Sequence, residues 1–168
     1  MRPLDWADHI PNGAALGALY GTLPPLRRVT VRSLHLDHFG PSLTLRLDLP
    51  EFPRNHPAEW DEAGLDSFQC HLQFLAVARL ALEGWIPGAR ADIELEGHGR
   101  GTMHVRIESE GFRLSFEAAD SILVGHMSAF SGGPDGSDSG PHRFIGKLDS
   151  RKFGEIPEVY EKTFYGHI

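Results

Sequence analysis

The sequence predicts a mainly β protein: a single domain with an antiparallel meander sheet, a short N-terminal helix and a short C-terminal helical tail. Apolar and polar residues alternate with a period of two in most runs between residues 29 and 130, which is the pattern of strands with one buried face. Glycine turns such as HGRG and SEG separate several runs. The length of 168 residues fits one ordinary domain, and the hydrophobic fraction of 40% is enough to fill its core.

The first predicted element is a short helix within residues 11–21, PNGAALGALYG. Apolar side chains recur there at helical spacing: Leu16, Leu19 and Tyr20. Asn12 is suited to cap the N-terminus of this helix. Two internal glycines weaken it, so packing must hold it, and Pro24 and Pro25 prevent it from continuing.

A hairpin of two strands follows. In RVTVRSLHLDHF, Val29 and Val31 share one face. Leu34 and Leu36 have the opposite parity, as one extra residue would cause, so a bulge is predicted near residues 32–33. In SLTLRLDL the residues predicted to face inward are Leu43, Leu45, Leu47 and Leu49. Those predicted to face outward are Thr44, Arg46 and Asp48.

Residues 68–83 fit two interpretations. The residues that alternate with polar neighbours are Phe68, Cys70, Leu72 and Phe74, and the same parity continues through Leu80 and Leu82. A helix over residues 72–83 competes, since its apolar residues and alanines also fit a 3.6 repeat. Because the alternation persists on both sides, two strands that meet near residues 75–77 are the preferred interpretation.

The clearest strands lie within residues 91–117 and form a meander with one apolar and one polar face. The inward residues are Ala91, Ile93, Leu95, Met103, Val105, Ile107, Phe112, Leu114 and Phe116. The outward residues are Asp92, Glu94, Glu96, His104, Arg106, Glu108, Arg113, Ser115 and Glu117. The run DSILVGHMSAF predicts a final strand.

Composition changes after this β-rich domain, which is predicted over residues 1–130. Residues 131–141, SGGPDGSDSGP, are predicted to be a flexible Gly/Ser/Pro linker because they have almost nothing to bury. Residues 142–168 regain aromatic side chains and are expected to dock on the domain, with a short helix that starts at Pro157.

The net charge and the lack of a recognisable targeting signal favour some classes of function over others. Lysine and arginine total 16 against 23 acidic residues, a net charge of −7, which disfavours nucleic acid and favours a basic protein partner. No window resembles a membrane-spanning helix, and the first residues, MRPLDWADHIPNG, lack the apolar stretch of a secretory signal. A cytoplasmic location is therefore expected. The one cysteine, Cys70, lies at an apolar position and is expected to be a core residue.

The sequence carries no catalytic motif. HExxH, CxxC, GxSxG and the phosphate-binding GxxxxGK[ST] are all absent. Histidines and an aspartate on predicted polar faces are the conceivable metal ligands: His35, Asp37, His71 and His104. Histidines scattered on polar faces are usually ordinary surface residues, so neither a cofactor nor an enzymatic activity is expected.

The span from WADHI to SAFSGG resembles the Immunity protein 50 family of bacterial polymorphic-toxin systems. The features that carry the resemblance are the helix ending in LYGTLPPL, the run VTVRSLHLDHFGPSLTLRLDLPEFP, PAEW, CHLQFLAVARLALEGWIPG and GFRLSFEAADSILVGHMSAF. The resemblance implies a largely β protein, encoded beside a toxin, that binds and neutralises it. It supplies no catalytic residues and does not identify the toxin.

The leading hypothesis is therefore an intracellular antitoxin whose acidic outer face is steered onto a basic toxin domain. The candidate partner-binding residues are Asp37, Asp48, Asp92, Glu94, Glu96, Glu108, Glu117, Trp60 and Trp85. Packing in the core is the expected role of both tryptophans, with contact to a partner as the alternative.

Two other functions stay open at this point. One is a β module that binds a small molecule in a pocket lined by Phe68, Phe74, Phe112 and Phe116. The other is a metal-dependent enzyme that uses the four metal-ligand candidates.

Overall fold

The computed structural model describes residues 2–145, in which nine strands accompany a 3₁₀ turn at Trp6–His9 and two short helices. The helices are α1 Ala14–Tyr20 and α2 Ala58–Glu62. The strands are β1 Val29–Asp37, β2 Ser42–Asp48, β3 Ser67–Phe74, β4 Ala78–Glu83, β5 Ala89–Gly97, β6 Thr102–Ser109, β7 Arg113–Ala119, β8 Ile122–Phe130 and β9 His142–Phe144. The prediction of a mainly β fold with a short N-terminal helix is confirmed. The helix predicted at Pro157 lies outside the described residues.

The strands form one open antiparallel sheet in the order β4-β7-β6-β5-β1-β2-β3-β8-β9. β1 pairs with β2 along most of its length, but with β5 only at Val29–Val31. This narrow junction divides the sheet into a first half-sheet (β4, β7, β6, β5) and a second half-sheet (β1, β2, β3, β8, β9). The rings of Phe74 on β3 and Phe116 on β7 are 5.1 Å apart although four strands lie between β3 and β7. The two half-sheets therefore turn their apolar faces toward each other.

The core lies between these two faces and has the residues that the alternation predicts. The inward leucines of β2 and the inward residues of β5, β6 and β7 are all buried. Cys70 is fully buried on β3, and burial raises the pKa of its thiol, so the prediction of a core residue is confirmed. The register of β1 against β2 shifts between Val31 and Ser33, which confirms the predicted bulge.

The segment with two interpretations forms two strands, so the preferred interpretation is confirmed. β4 does not stay beside β3: it pairs with β7 at the far edge of the sheet. The chain crosses between the half-sheets at residues 75–77, where Val77 N–H donates to Pro41 O (2.9 Å) and Ala119 N–H donates to Leu75 O (2.9 Å). Most of β4 is exposed, as is common for an edge strand, and only its Leu80 is partly buried against the core.

The proline-containing loop between β2 and β3 closes one end of the core. It leads into α2, which carries Trp60 with only 4% of its surface exposed. The Trp60 ring packs against Phe52 and Phe68, with centroids 5.9 Å and 6.3 Å away. Stiff prolines reduce the entropy lost when this loop is ordered, so the loop can hold the indole over the sheet at lower cost.

Asn12 does not cap α1, so that prediction is wrong. The helix begins after Gly13, whose position makes no side-chain cap. Instead the Asn12 amide donates to Val124 O (2.8 Å) and accepts from Val124 N–H (2.9 Å). β9 pairs only with Ser128–Phe130 of β8, so the backbone of Val124 has no strand partner on the β9 side in the described chain. The Asn12 side chain bonds the Val124 backbone there instead. Asn12 thereby ties the start of α1 to the sheet.

Candidate partner-binding surface

The outer face of the first half-sheet brings together five of the seven predicted acids. We call it the acidic face and define it by the outward residues of β5, β6 and β7: Asp92, Glu94, Glu96, His104, Arg106, Glu108, Arg113, Ser115 and Glu117. It forms because the side chains of these strands alternate and the inward set is buried in the core. Five carboxylates there face the guanidinium groups of Arg106 and Arg113, and the exposed Arg90 of β5 adds a third on the same side, so the surface keeps a negative charge.

Arg106 stands at the centre of the acidic face. Its guanidinium lies 2.7 Å from Glu94, 3.5 Å from Glu96 and 3.8 Å from Glu108. The hydrogen bond to Glu94, together with the charge of these carboxylates, raises the pKa of Arg106. One cation shared by three carboxylates leaves them incompletely neutralised. The side chains of Glu94 and Glu108 are also 46% and 55% exposed, so an incoming cation can reach them.

Asp92 and Glu117 occupy opposite margins of this surface. Asp92 faces Glu108 across the β5–β6 pair, which is an unfavourable juxtaposition of like charges, and accepts a hydrogen bond from Arg28 N–H at 2.8 Å. Glu117 is partly neutralised by Arg79 at 3.8 Å, and a ring nitrogen of His98 lies 3.4 Å from its carboxylate. Arg28 and Arg90 also lie beside Asp92, so the most negative part of the face is its centre around Arg106.

The other two predicted acids lie elsewhere. Asp37 is at the tip of the β1–β2 hairpin, where its carboxylate accepts from Phe39 N–H at 3.0 Å. Asp48 is on the outer face of the second half-sheet, and the expectation that it faces solvent is wrong, since it is only 8% exposed. It forms an ion pair with Arg32 and accepts from the Gln69 amide at 2.9 Å. Strand parity gave Asp48 the correct face but could not show that this face is covered.

The segment predicted to be a linker, residues 131–141, helps to cover Asp48. Within residues 131–141, Asp138 lies 3.0 Å from Arg46 and accepts from the Gln69 amide at 2.8 Å. The carbonyl of Gly136 accepts from Arg32 at 2.7 Å. Carboxylates and guanidinium groups therefore pair beneath this segment, whereas the acidic face has no such covering segment in the described part of the chain.

The two candidate tryptophans differ in accessibility. Trp60 is packed under its loop, and a partner would reach it only by displacing that loop. Trp85 is half-buried against Phe112, with ring centroids 5.0 Å apart, and is followed by the exposed side chain of Ile86. Contact between Trp85 and a partner stays a prediction.

A family comparison bears on what this surface does. The model of the Immunity protein 50 family matches residues 12–127, well over half of the chain. The chain belongs to the Immunity protein 50 family. The match includes all three strands of the acidic face. No curated protein and no solved structure matches the chain. No helix between residues 2 and 145 has the length and apolar character that a membrane span requires.

Next to the acidic face of this Immunity protein 50 member lies a groove of about 570 Å³ that the sequence did not reveal. One side of β5 is bordered by two different segments: Leu26 O accepts from Ile93 N–H, and Leu4 N–H donates to Leu95 O, each at 2.8 Å. The groove lies where these segments separate. Residues 2–5 join the sheet through backbone hydrogen bonds, with Leu4 as the one of their side chains that packs against the core, and so short a segment shows no strand periodicity in the sequence.

The four metal-ligand candidates do not converge. His104 lies on the acidic face, whereas His71 lies on the outer side of the second half-sheet, with β5, β1 and β2 between their strands. Residues 2–145 contain no group of three side chains arranged to hold a metal ion. The expectation that His71 faces solvent is wrong: it is 1% exposed, 4.7 Å from the ring of His126, and burial lowers its pKa to about 3.

The phenylalanines proposed to cup a small molecule are core residues. Each of the four is at most 3% exposed: Phe68, Phe74, Phe112 and Phe116. Phe74 and Phe116 pack edge to face, so each ring occupies the space that a ligand between them would need.

Proposed function

We propose that this protein is a bacterial, cytoplasmic immunity protein that binds a cognate toxin domain and neutralises it by stoichiometric inhibition, without turnover. The observation that supports this function is the family membership, which covers residues 12–127. Immunity proteins act by recognising a toxin, so the function requires an exposed recognition surface rather than a catalytic site.

The acidic face is the surface that we propose for this role. Its carboxylates outnumber its guanidinium groups, and two of them around Arg106 are about half exposed. Charges arranged in this way accelerate the encounter with a basic partner and fix its orientation. The toxin domain is therefore proposed to present a basic surface, as a nuclease does. Binding there would inhibit the toxin domain by covering its active site or a surface next to the active site.

The test begins with the toxin domain encoded beside this gene. Co-expression should rescue cells from that domain, and the purified proteins should form a complex with one copy of each. Failure of both would overturn the proposed function.

Charge reversal then tests the surface. The double variant Glu94→Lys and Glu108→Lys should slow association by at least tenfold at low salt and weaken its dependence on salt. The matched control is Glu59→Lys and Glu62→Lys, which changes the net charge equally at exposed positions of α2. Equal effects of the two double variants would show that net charge matters and the acidic face does not.

A further inference from the structure

We propose that the groove beside β5 receives a basic side chain of the toxin domain, an arginine or a lysine, and holds it as the anchor of the complex. This inference rests on the proposed function and adds the contact that would set the lifetime of the complex. The argument depends on the shape of the groove, on its two kinds of lining and on its continuity with the acidic face.

The groove has rigid walls. Residues 2–5 form one wall, which backbone hydrogen bonds fix to β5: Leu4 N–H to Leu95 O and Gly97 N–H to Arg2 O, each 2.8 Å. Trp6 follows this wall and also lines the groove, although it is almost fully buried, and its indole N–H donates to Pro24 O at 2.9 Å. The residues around Leu26 form the opposite wall. A volume of about 570 Å³ lies within the range of sites that enclose a ligand group.

The lining combines apolar and acidic groups. The apolar lining residues with accessible surface are Leu4, Leu23, Pro3 and Pro25, and the buried side chains of Leu26 and Ile93 lie at the same groove. The acidic residues of the lining are Asp5, Glu94 and Glu96, and its one cationic residue is Arg27. Glu94 and Glu96 also pair with Arg106, and Asp5 accepts from Ala7 N–H at 3.0 Å. A lysine or arginine matches both parts, because its methylene stem prefers an apolar surface while its head needs an anion. Arginine fits best, since its planar group can bond two carboxylates at once.

Charge and position favour a toxin domain over a second copy of this protein. Glu94 and Glu96 belong both to the groove and to the acidic face, so a basic surface steered onto that face arrives at the groove. A second copy carries a net charge of −7 and would be repelled. The acidic face thus governs how fast the partner arrives, and the groove governs how slowly it leaves.

The first experiment blocks the groove without changing charge. Leu23→Trp places a larger apolar group at a half-buried position of the lining. We expect the companion toxin domain to dissociate at least tenfold faster, with association changed less than twofold. Leu65→Trp is the matched control, because Leu65 is also a half-buried leucine but lies just after the turn that follows α2, away from the groove. It should leave dissociation unchanged.

The second experiment removes one carboxylate, and it tests the groove even if the Leu23→Trp variant does not fold. Glu96→Gln and Glu108→Gln each remove a carboxylate that touches Arg106, but only Glu96 also lines the groove. Loss of a charge-assisted hydrogen bond should accelerate dissociation about tenfold for Glu96→Gln. Glu108→Gln should change only the association rate.

The outcomes separate this inference from the proposed function. Suppose that the toxin binds and that Glu108→Gln changes its association rate. If Leu23→Trp and Glu96→Gln then leave its dissociation rate unchanged, the proposed role of the groove is wrong but the proposed function is not. Absence of any complex with wild type would overturn the function itself. Loss of a dimer of this protein in Leu23→Trp would assign the groove to a second copy and overturn the inference.

Discussion

Replacing Asp138 with alanine tests whether residues 131–141 belong to the folded unit or form a flexible linker. The Asp138 carboxylate lies 3.0 Å from Arg46 and 3.7 Å from Arg32, and accepts from the Gln69 amide at 2.8 Å. Its side chain is only 16% exposed. The substitution leaves the two guanidinium groups with one carboxylate, that of Asp48, in a mostly buried cluster.

The expected loss follows from what each partner retains. Removing one member of a fully buried ion pair costs about 3–5 kcal/mol. Arg32 keeps Asp48, and Arg46 keeps its hydrogen bond to the Ser33 hydroxyl at 3.2 Å. Some solvent also reaches these side chains. We therefore expect the free energy of unfolding to fall by about 2 kcal/mol, close to the value of one or two charge-assisted hydrogen bonds.

Urea unfolding measures this loss, and native-state hydrogen exchange locates it. Exchange should accelerate most at the amides that join β8 to β9, because the segment holding β9 in place has lost its contact. Asp135→Ala is the control: that carboxylate is in the same segment, but among residues 2–145 its hydrogen bond is to the nearby Ser137 N–H at 3.0 Å. If Asp138→Ala unfolds within 0.5 kcal/mol of Asp135→Ala, a ~2 kcal/mol contact does not exist and the linker interpretation stands.

Two further predictions concern pH and backbone geometry. Burial lowers the pKa of His71 to about 3, so the unfolded chain takes up a proton below pH 6.5 that the folded chain refuses. Stability should fall by about 2 kcal/mol between pH 8 and pH 5, and His71→Gln should flatten that slope in urea titrations at several pH values. Gly84 has φ +70°, and a Cβ there would lie 2.6 Å from Gly111 O. Gly84→Ala should therefore lower the melting temperature clearly more than Gly101→Ala, whose φ is also +70° but whose Cβ would meet open space; equal shifts would refute the clash.

Strand periodicity predicted the acidic face because the face depends only on local alternation. Once the inward residues of β5, β6 and β7 are buried, Glu94, Arg106 and Glu108 must point to the other side. The break near residues 75–77 was visible for the same reason, as was the bulge in β1. In each case a single chain segment contains the whole signal.

Pairing between distant strands was not predictable in this way. Nothing in the alternation of β3 indicates that its neighbours are β2 and β8, or that β4 leaves it for β7. The burial of Asp48 and His71 follows from these pairings and from what covers them, so parity placed both on the outer side and still gave the wrong exposure. The groove was missed because its wall at residues 2–5 is built by backbone bonds.

The two outer faces of this sheet come from the same alternating pattern but end in opposite electrostatic states. On the second half-sheet, Arg32 and Arg46 are matched by Asp48 and Asp138, and the residues around them are mostly buried. On the first half-sheet, three carboxylates share Arg106 and two of them remain about half exposed. Unmatched like charges oppose folding slightly, so stability alone does not favour keeping them together. A cationic partner would turn that repulsion into binding energy, and the face that the described chain leaves uncovered is the one that could use it.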